Sequence, residues 1–295
     1  MGLAVSGGPD SMALLQLAAA ARPGSVEAGT VDHGLRPDSA AEAQMVAAAC
    51  AKIGVPHAVL RVQVAHGNLQ SSARAARYAA LAGWLGERGL AALATAHHAD
   101  DQAETLLMRL NRASGVAGLA GVRARGLVPN TDLSLLRPLL SYRRTELATA
   151  LAAAGFPSVQ DPSNGDDRFD RARMRKAIAA TGWLDISAIA ASAANLADAD
   201  AALDWAAARE WNEAVSWNAD GSALYRPGAP RAVALRVMAR IIKEMGSENS
   251  RGGQIAQLHD TLITGKSATI GTLMVQPLKS GWRFSIAPPR QNGAR

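Results

Sequence analysis

Ser6-Gly7-Gly8-Pro9-Asp10-Ser11 stands between an apolar run, Leu3-Ala4-Val5, and a helix-like run from Met12 to Ala21. Two glycines allow a tight turn whose N–H groups come close to a ligand, and the helix that follows aims the positive end of its dipole at the same point. Ser6 and Ser11 add hydroxyls, and Pro9 suits the first turn of the helix. Asp10 is out of place beside bare phosphate unless a divalent cation lies between them, which is how magnesium is usually held. The same string also makes a good turn and helix start. Neither Gly-x-x-x-x-Gly-Lys-Ser/Thr nor Gly-x-Gly-x-x-Gly occurs in a strand-to-helix setting, so the standard nucleotide fingerprints do not decide between the two readings. The surrounding chain must.

Outward from this loop, short β-rich runs alternate with helical stretches. They are Leu3–Val5, a helix from Met12, Ala28–Val31, a helix from Ala40 to Ile53, Ala58–Val62, a helix from Ser71 to Arg88, then Ala91–Ala96. That rhythm predicts an α/β domain with a parallel sheet and crossover helices, whose ligands bind at the carboxyl ends of the strands. The three loops leaving those ends, Ser6–Ser11, Asp32–Asp38 and His97–Asp101, are all rich in polar side chains. Further on, the pattern predicts a Gly/Arg-rich connection after Gly115, a strand at Leu133–Leu140 and a helix from Tyr142 to Ala154. A turn-rich stretch, Asp161 to Asp167, leads into an arginine-rich helix.

The boundary is placed near Trp183–Ser187, giving a first domain over 1–184 and a second over 185–295. The second reads as smaller and mainly helical, with a long Ala-rich helix over 187–217, another from Pro230 to Gly246, one over 252–264 and a terminal β-hairpin from Ala268–Val275 and Gly281–Ile286. Its regularly spaced Ile189, Leu196 and Leu203 suggest packing, not a cofactor site.

Composition narrows the function classes. With 48% hydrophobic residues in 295 there is ample material for a core. No apolar segment reaches membrane-spanning length, and the N-terminus lacks a signal-peptide pattern. The one cysteine, Cys50, excludes an internal disulfide and any multi-cysteine metal site built from this chain alone, and points to a cytoplasmic protein. The net charge of +6 favours a polyanionic partner, though the excess is spread over both parts of the chain.

Several constellations carry chemistry. Ala96-His97-His98-Ala99-Asp100-Asp101-Gln102-Ala103-Glu104-Thr105 gathers two imidazoles and three carboxylates at a strand end. Asp101 with Glu104 resembles a helix cap, but capping does not explain the histidines. Functionally, Asp101 would join Asp10 around magnesium, with His97 and Glu104 orienting groups or moving protons. Zinc is disfavoured, because cysteine and His-Glu-x-x-His spacing are missing. Val31-Asp32-His33-Gly34-Leu35-Arg36 is either a plain turn or the place where backbone groups grip adenine while His33 or Arg36 reaches phosphate. Arg74 and Arg77 share a helix face beside Tyr78, and Arg168, Arg171 and Arg175 form a second basic stripe. Both can be solvated faces or supports for a polyphosphate backbone.

Taken together, these motifs, with Asp161-Pro162-Ser163-Asn164, closely resemble the tRNA(Ile)-lysidine synthetases of the PP-loop ATP pyrophosphatase superfamily, in order and in spacing over residues 2–178. The resemblance implies a Rossmann-type, adenine nucleotide alpha hydrolase-like first domain and the cofactors ATP and Mg2+. It implies as partners L-lysine and tRNA(Ile) with a CAU anticodon: ATP adenylates C2 of the wobble cytidine, and the lysine ε-amine displaces AMP. It further implies that Ser6, Gly7, Gly8, Pro9 and Ser11 grip pyrophosphate, Asp10 and Asp101 the metal, and Val31 and His33 the adenosine. His97, Glu104 and Asp161 would surround cytosine and lysine, and Arg74, Arg77, Arg171 and Arg175 would touch tRNA or phosphate.

The chain departs from the family pattern at both ends. Only five residues precede Ser6, where family members carry a longer lead-in, and residues 185–295 are short beside longer members that add a domain for the tRNA acceptor end, although a tRNA contact is still expected there. A homodimer stays open. The rivals are a tRNA thiolase, which needs more cysteine than Cys50, a small-molecule amidating ligase, which does not need the arginine stripes, and a non-catalytic RNA-binding protein, against which Asp10, Asp101 and Glu104 argue.

Overall fold

The computed structural model describes residues 1–34, 39–62, 69–159, 170–247 and 252–287. The chain forms two compact units, Met1–Ala197 and Asp198–Arg295. In the first, β1 (Gly2–Ala4) runs into α1 (Pro9–Ala21), followed by β2 (Glu27–Asp32), α2 (Ser39–Lys52), β3 (His57–Arg61), α3 (Leu69–Glu87), β4 (Ala92–Ala94), α4 (Ala99–Leu110), the single turn α5 (Val116–Leu119), β5 (Arg125–Leu127), β6 (Ser134–Leu136), α6 (Arg144–Ala153) and α7 (Asp170–Ala180). The helix α8 (Ile186–Ala214) begins in this unit, just after the predicted boundary, and the division between units falls inside it.

The sheet order is β3-β2-β1-β4-β6-β5. β1 is central, with Leu3 opposite Ala28 on one side and Ala94 on the other. The chain moves outward from β1 to β3 and then returns to place β4 on the far side of β1, so the carboxyl ends of β1 and β4 flank a topological switch point, where open α/β sheets bind ligands. All pairings are parallel except β5 with β6. That antiparallel edge strand was expected to be connection: its Arg-Gly-Leu sequence has no β-rich signature, and it forms only because Leu133–Leu136 offers an open edge.

Alternation along the strands assigns the two faces. Leu3, Ala94 and Leu136 pack with Met12 and Leu15 of α1, Cys50 of α2 and Leu147 and Leu151 of α6. Ala4, Leu93 and Leu135 pack with Tyr78, Leu81, Trp84 and Leu85 of α3. A Cβ at Gly2 would lie 2.8 Å from the Trp84 ring and one at Gly29 3.0 Å from it, so these two glycines let α3 settle directly on the strands.

The second unit holds the end of α8, β7 (Val215–Trp217), β8 (Ala223–Tyr225), α9 (Arg231–Glu244), α10 (Gly252–Ile263), β9 (Ala268–Ile270), β10 (Leu273–Leu278) and β11 (Gly281–Ile286). The predicted hairpin is present as β10 and β11, with Val275 opposite Phe284, but it is the middle of a five-stranded antiparallel sheet ordered β7-β8-β11-β10-β9. Two expectations are corrected. The long helix stops at Ala214, because Val215-Ser216-Trp217 pairs with β8, as a β-branched and an aromatic residue favour. The run 268–275 is two strands, broken by a turn at Gly271 with φ +57°. Val237, Met238 and Ile241 of α9 and Leu258 and Leu262 of α10 cover this sheet through Leu273, Val275 and Phe284. Among the described residues no helix is long and apolar enough to cross a membrane.

Candidate active site

The loop between β1 and α1 is built around Ser11. Its Oγ accepts from Ser6 N (3.1 Å), donates to Gly8 O (2.9 Å) and lies 3.2 Å from Ser6 Oγ. The Ser11 hydroxyl therefore closes the loop from within, while Ser6 is exposed at its rim. Gly7 holds φ +85°, a region that suits glycine, and its oxygen accepts from Val159 N at 2.9 Å. Pro9 opens α1 and Gly8 is its N-cap, so the first amides of that helix face the loop.

Asp10 projects toward the start of α4. There His98, 1% exposed, carries Nε2 at 3.3 Å from Asp10 Oδ2 and 3.5 Å from Asp101 Oδ2, with Nδ1 3.6 Å from Asp100 Oδ2. Asp101 also caps α4, accepting from His98 N at 3.1 Å. The capping reading of Asp101 is thus seen, and its carboxylate also faces His98. Burial alone would lower the His98 pKa, but the Asp10 and Asp100 carboxylates, with Asp101, overcome it and push the imidazole up to about 9. Against its own burial, Asp10 is held below the usual carboxylate range by His98 and by Arg144, whose Nη2 is 3.7 Å away. Asp100, half-buried yet strongly lowered against that burial, answers His98, Arg144 N (2.8 Å) and the Arg143 guanidinium (3.3 Å), and so ties α4 to the head of α6.

The donor set fits magnesium. Asp10 and Asp101 each bring an oxygen to one buried nitrogen, which makes no properly directed hydrogen bond. Among the described residues no group of three or more His, Cys, Asp or Glu is arranged for a metal. That combination matches an ion that takes one or two carboxylates and completes its shell with phosphate and water.

His97, one residue from His98, behaves in the opposite way. Its Nδ1 lies 2.9 Å from Thr95 Oγ1. Burial pushes its pKa down to about 4; Asp101 opposes this, while Arg137, Arg171 and Arg74 add to it. Glu104, 2% exposed, is clamped: Oε2 accepts from Arg171 Nε at 3.0 Å and Oε1 from Arg175 Nε at 2.8 Å. Arg171 also reaches Thr105 Oγ1 at 3.2 Å and stands 3.8 Å from Asp101 Oδ1.

Thus Asp10, His97, Asp101, Glu104, Arg171 and Arg175 come together. Val31 and His33 close the neighbouring strand β2, where Asp32 Oδ1 accepts from Gly34 N at 2.9 Å. Arg74 and Arg77 flank the Tyr78 ring on α3, with Cζ 5.0 and 5.3 Å from its centroid. Arg36, Asp161 and Arg168 lie outside the described residues. Sequence reasoning gave no role to His98, Arg137, Arg143 or Arg144. Arg137 was within reach, because it directly follows β6, a parallel strand's carboxyl end; the placement of Arg144 against Asp10 depends on packing between distant segments.

A strand–loop–helix phosphate cradle facing an acidic helix start across a switch point defines a PP-loop nucleotide-binding domain, and residues 1–181 match the PP-loop domain family. A tRNA(Ile)-lysidine synthase of Novosphingobium aromaticivorans is 47% identical over 99% of this chain and 90% of that protein, and one of Zymomonas mobilis is 40% identical over 99% and 89%. The chain belongs to the tRNA(Ile)-lysidine synthase family. Among solved structures, the U34-tRNA thiolase NcsA from Methanococcus maripaludis with its [4Fe-4S] cluster aligns with a TM-score of 0.55 at 16% identity, over 66% of this chain and 69% of that one, a likeness of fold alone.

Proposed function

We infer that this chain is an ATP-dependent ligase that joins L-lysine to C2 of the wobble cytidine of tRNA(Ile) with a CAU anticodon, by way of an adenylated cytidine, and releases AMP and diphosphate in the cytoplasm. The observation that carries the reading is the meeting of Asp10, from the phosphate loop's helix, with Asp101, from the head of α4, on the one buried nitrogen of His98. That this occurs in a chain 47% identical to a named lysidine synthase supports the choice of substrate.

A carbonyl oxygen leaves only after conversion to a phosphate ester. Magnesium held by Asp10 and Asp101 would supply charge neutralisation on the triphosphate. Gly7, Gly8 and the first turn of α1 bind the diphosphate portion with backbone N–H groups that need no rearrangement during reaction. Ser11 keeps that loop closed, and the Ser6 hydroxyl, at the rim and held by Ser11 Oγ, would turn to phosphate when it binds. Val31 and His33 flank the adenosine. His98 holds the two carboxylates in register from behind.

The lysine amine, with an ordinary pKa of about 10.4, must lose a proton before it attacks. Of the three groups proposed around cytosine and lysine, His97 is held neutral by burial and so can accept a hydrogen bond, while the same downward shift makes it a weak base toward the lysine ammonium. Both oxygens of Glu104 already accept from guanidiniums, which favours its role as the anchor of α7. Asp161 belongs to the stretch after Val159. The unit Asp198–Arg295 supplies a further tRNA contact.

The thiolase rival is disfavoured by Cys50, which is fully buried on the core face of α2 with its thiol pushed up to about 11 by burial. The deciding experiment incubates the protein with ATP, magnesium, labelled lysine and CAU-anticodon tRNA(Ile). Label in the tRNA together with released diphosphate is expected; a folded protein that transfers none overturns the reading.

A further inference from the structure

At the head of α6, Arg143 and Arg144 present guanidiniums side by side, and only the first is paired through hydrogen bonds. Arg143 forks onto Asp100, with Nε 3.3 Å from Oδ2 and Nη2 3.3 Å from Oδ1. Arg144 has no such fork. Its Nη2 stands 3.7 Å from Asp10 Oδ2, an ion-pair distance beyond hydrogen-bond reach. Its Nε is buried and has no hydrogen-bond partner. Every N–H of a guanidinium donates and none accepts, so this side chain lacks oxygens, and Asp10 is its ion-pair partner among the described residues.

The backbone beneath Arg144 is fixed. Its own N donates to Asp100 Oδ2 at 2.8 Å, Ala99 N donates to Tyr142 O at 2.8 Å, and Arg143 N donates to Glu146 Oε2 at 2.6 Å. One and two turns further on, Leu147 and Leu151 of α6 pack with Met12 and Leu15 of α1. The helix α6 is therefore anchored to both helices whose heads carry the acidic pair, and Arg144 emerges between them. Its side chain remains 35% exposed, and a long stem can redirect its charged end while its root stays in place.

Resting on Asp10, this charge works against the cation that Asp10 would hold. Repulsion between cations on one carboxylate grows where water is partly excluded, and His98 Nε2 already stands 3.3 Å from the same Oδ2. A polyanion reverses the sign, because oxygens lying between guanidinium and metal bind both. Gly8 is the N-cap of α1 and Asp10 lies in its first turn, so phosphates on the amides of that turn bring such oxygens beside Arg144. A guanidinium fork pairs with two oxygens of one phosphoryl group and would satisfy the orphaned Nε.

We propose that Arg144 binds the diphosphate portion of ATP, and that before ATP arrives it rests on Asp10 and weakens the cation site, so that metal and nucleotide enter together. Once the fork has turned to phosphate, Asp10 is left to the metal. Without nucleotide the acidic pair holds no cation tightly. The metal half of this proposal rests on the reading of Asp10 and Asp101 given under Proposed function; the diphosphate half rests on the guanidinium itself.

The test uses manganese in place of magnesium, with free manganese read by electron paramagnetic resonance. Binding of manganese alone, of the α,β-methylene analogue of ATP, of inorganic diphosphate and of AMP is measured for the wild type, Arg144→Gln, Arg144→Lys and Asp10→Asn. Without nucleotide, Arg144→Gln should bind manganese about tenfold more tightly than the wild type. It should bind the analogue and diphosphate about tenfold more weakly, the scale of a hydrogen bond between charged groups, and keep AMP affinity within about twofold. Arg144→Lys keeps the charge and loses the fork, so it should keep the weak manganese binding and recover only part of the diphosphate affinity. Unchanged diphosphate affinity in Arg144→Gln overturns the proposal, and so does an equal loss for AMP and diphosphate, which would make the residue a support of the fold. Manganese binding without nucleotide that is no tighter in Arg144→Gln overturns the resting contact on Asp10. The metal reading is scored apart, by loss of manganese from Asp10→Asn in the presence of the analogue. If that loss occurs while Arg144→Gln matches the wild type, the proposal alone falls. If Asp10→Asn holds manganese normally while Arg144→Gln loses diphosphate, the metal reading falls and the diphosphate contact stands.

Discussion

Arg171 and Arg175 reach from α7 to a buried carboxylate, Glu104, whereas Arg74, Arg77 and Arg137 surround a buried phenol with no carboxylate partner among the described residues. The two regions lie at the same end of one sheet, and their side chains are chemically alike. They differ in whether the chain supplies the counter-charge. Where it does, the arginines join α7 to Glu104. Where it does not, the guanidiniums face the Tyr78 ring with no counter-charge among the described residues. His98 and His97 repeat the lesson between adjacent residues, one ringed by carboxylates and pushed up to about 9, the other facing guanidiniums and pushed down to about 4.

The sharpest way to break this comparison is to remove the counter-charge. Glu104→Gln leaves Arg171 and Arg175 facing a neutral amide, and should destabilise the protein by about 3 kcal/mol, the low end for breaking a buried pair because water reaches part of both guanidiniums. Denaturant unfolding measures it; a loss below about 1 kcal/mol, the surface-pair range, would mean that the clamp is ornamental. Next in size, Asp10→Asn should keep the fold and slow diphosphate release by about a hundredfold or more, the range for removing a charge-stabilising group from an active site. Wild-type turnover in that variant would take Asp10 out of the metal site.

Smaller effects separate the arginines. Arg171→Ala should lower both thermal stability and activity, while Arg74→Ala should leave the melting temperature unchanged and reduce tRNA affinity by about 1 kcal/mol. Equal stability losses in both would erase the distinction. The pH dependence separates the two histidines. His97, lowered to about 4 from an ordinary 6.5, is protonated in the unfolded chain before the folded one. Its contribution is complete above pH 6.5 and is lost as pH falls toward 4. His98, raised to about 9, contributes fully below pH 6.5, and that stability is lost as pH rises through 9. His97→Gln should therefore flatten the acid side of the stability profile and His98→Gln the alkaline side; the same side flattening in both would contradict the assignment.

Much of this was legible in the sequence for simple reasons. The Gly7-Gly8 turn before a helix is set by local backbone chemistry, and the alternation of short apolar runs with helices points to a parallel sheet with its loops at one edge. Pairings made across long separations were not legible. Nothing near Arg171 or Arg175 in the chain says that Glu104 will accept from both, so spacing alone left each basic stripe open between a solvated face and a support for a polyphosphate backbone. His98 was hidden by His97 beside it, since periodicity does not say which of two neighbours turns inward. The strands at Arg125–Leu127 and Val215–Trp217 are three residues each, too short to stand out from the sequence around them without their partners.

The most direct test of the central claim is an anomalous diffraction experiment on the protein soaked with ATP and manganese in place of magnesium. A single strong peak about 2.1 Å from one oxygen each of Asp10 and Asp101, beside the triphosphate, is the predicted result. A peak bound to neither carboxylate, or to one with the other turned away, would contradict it.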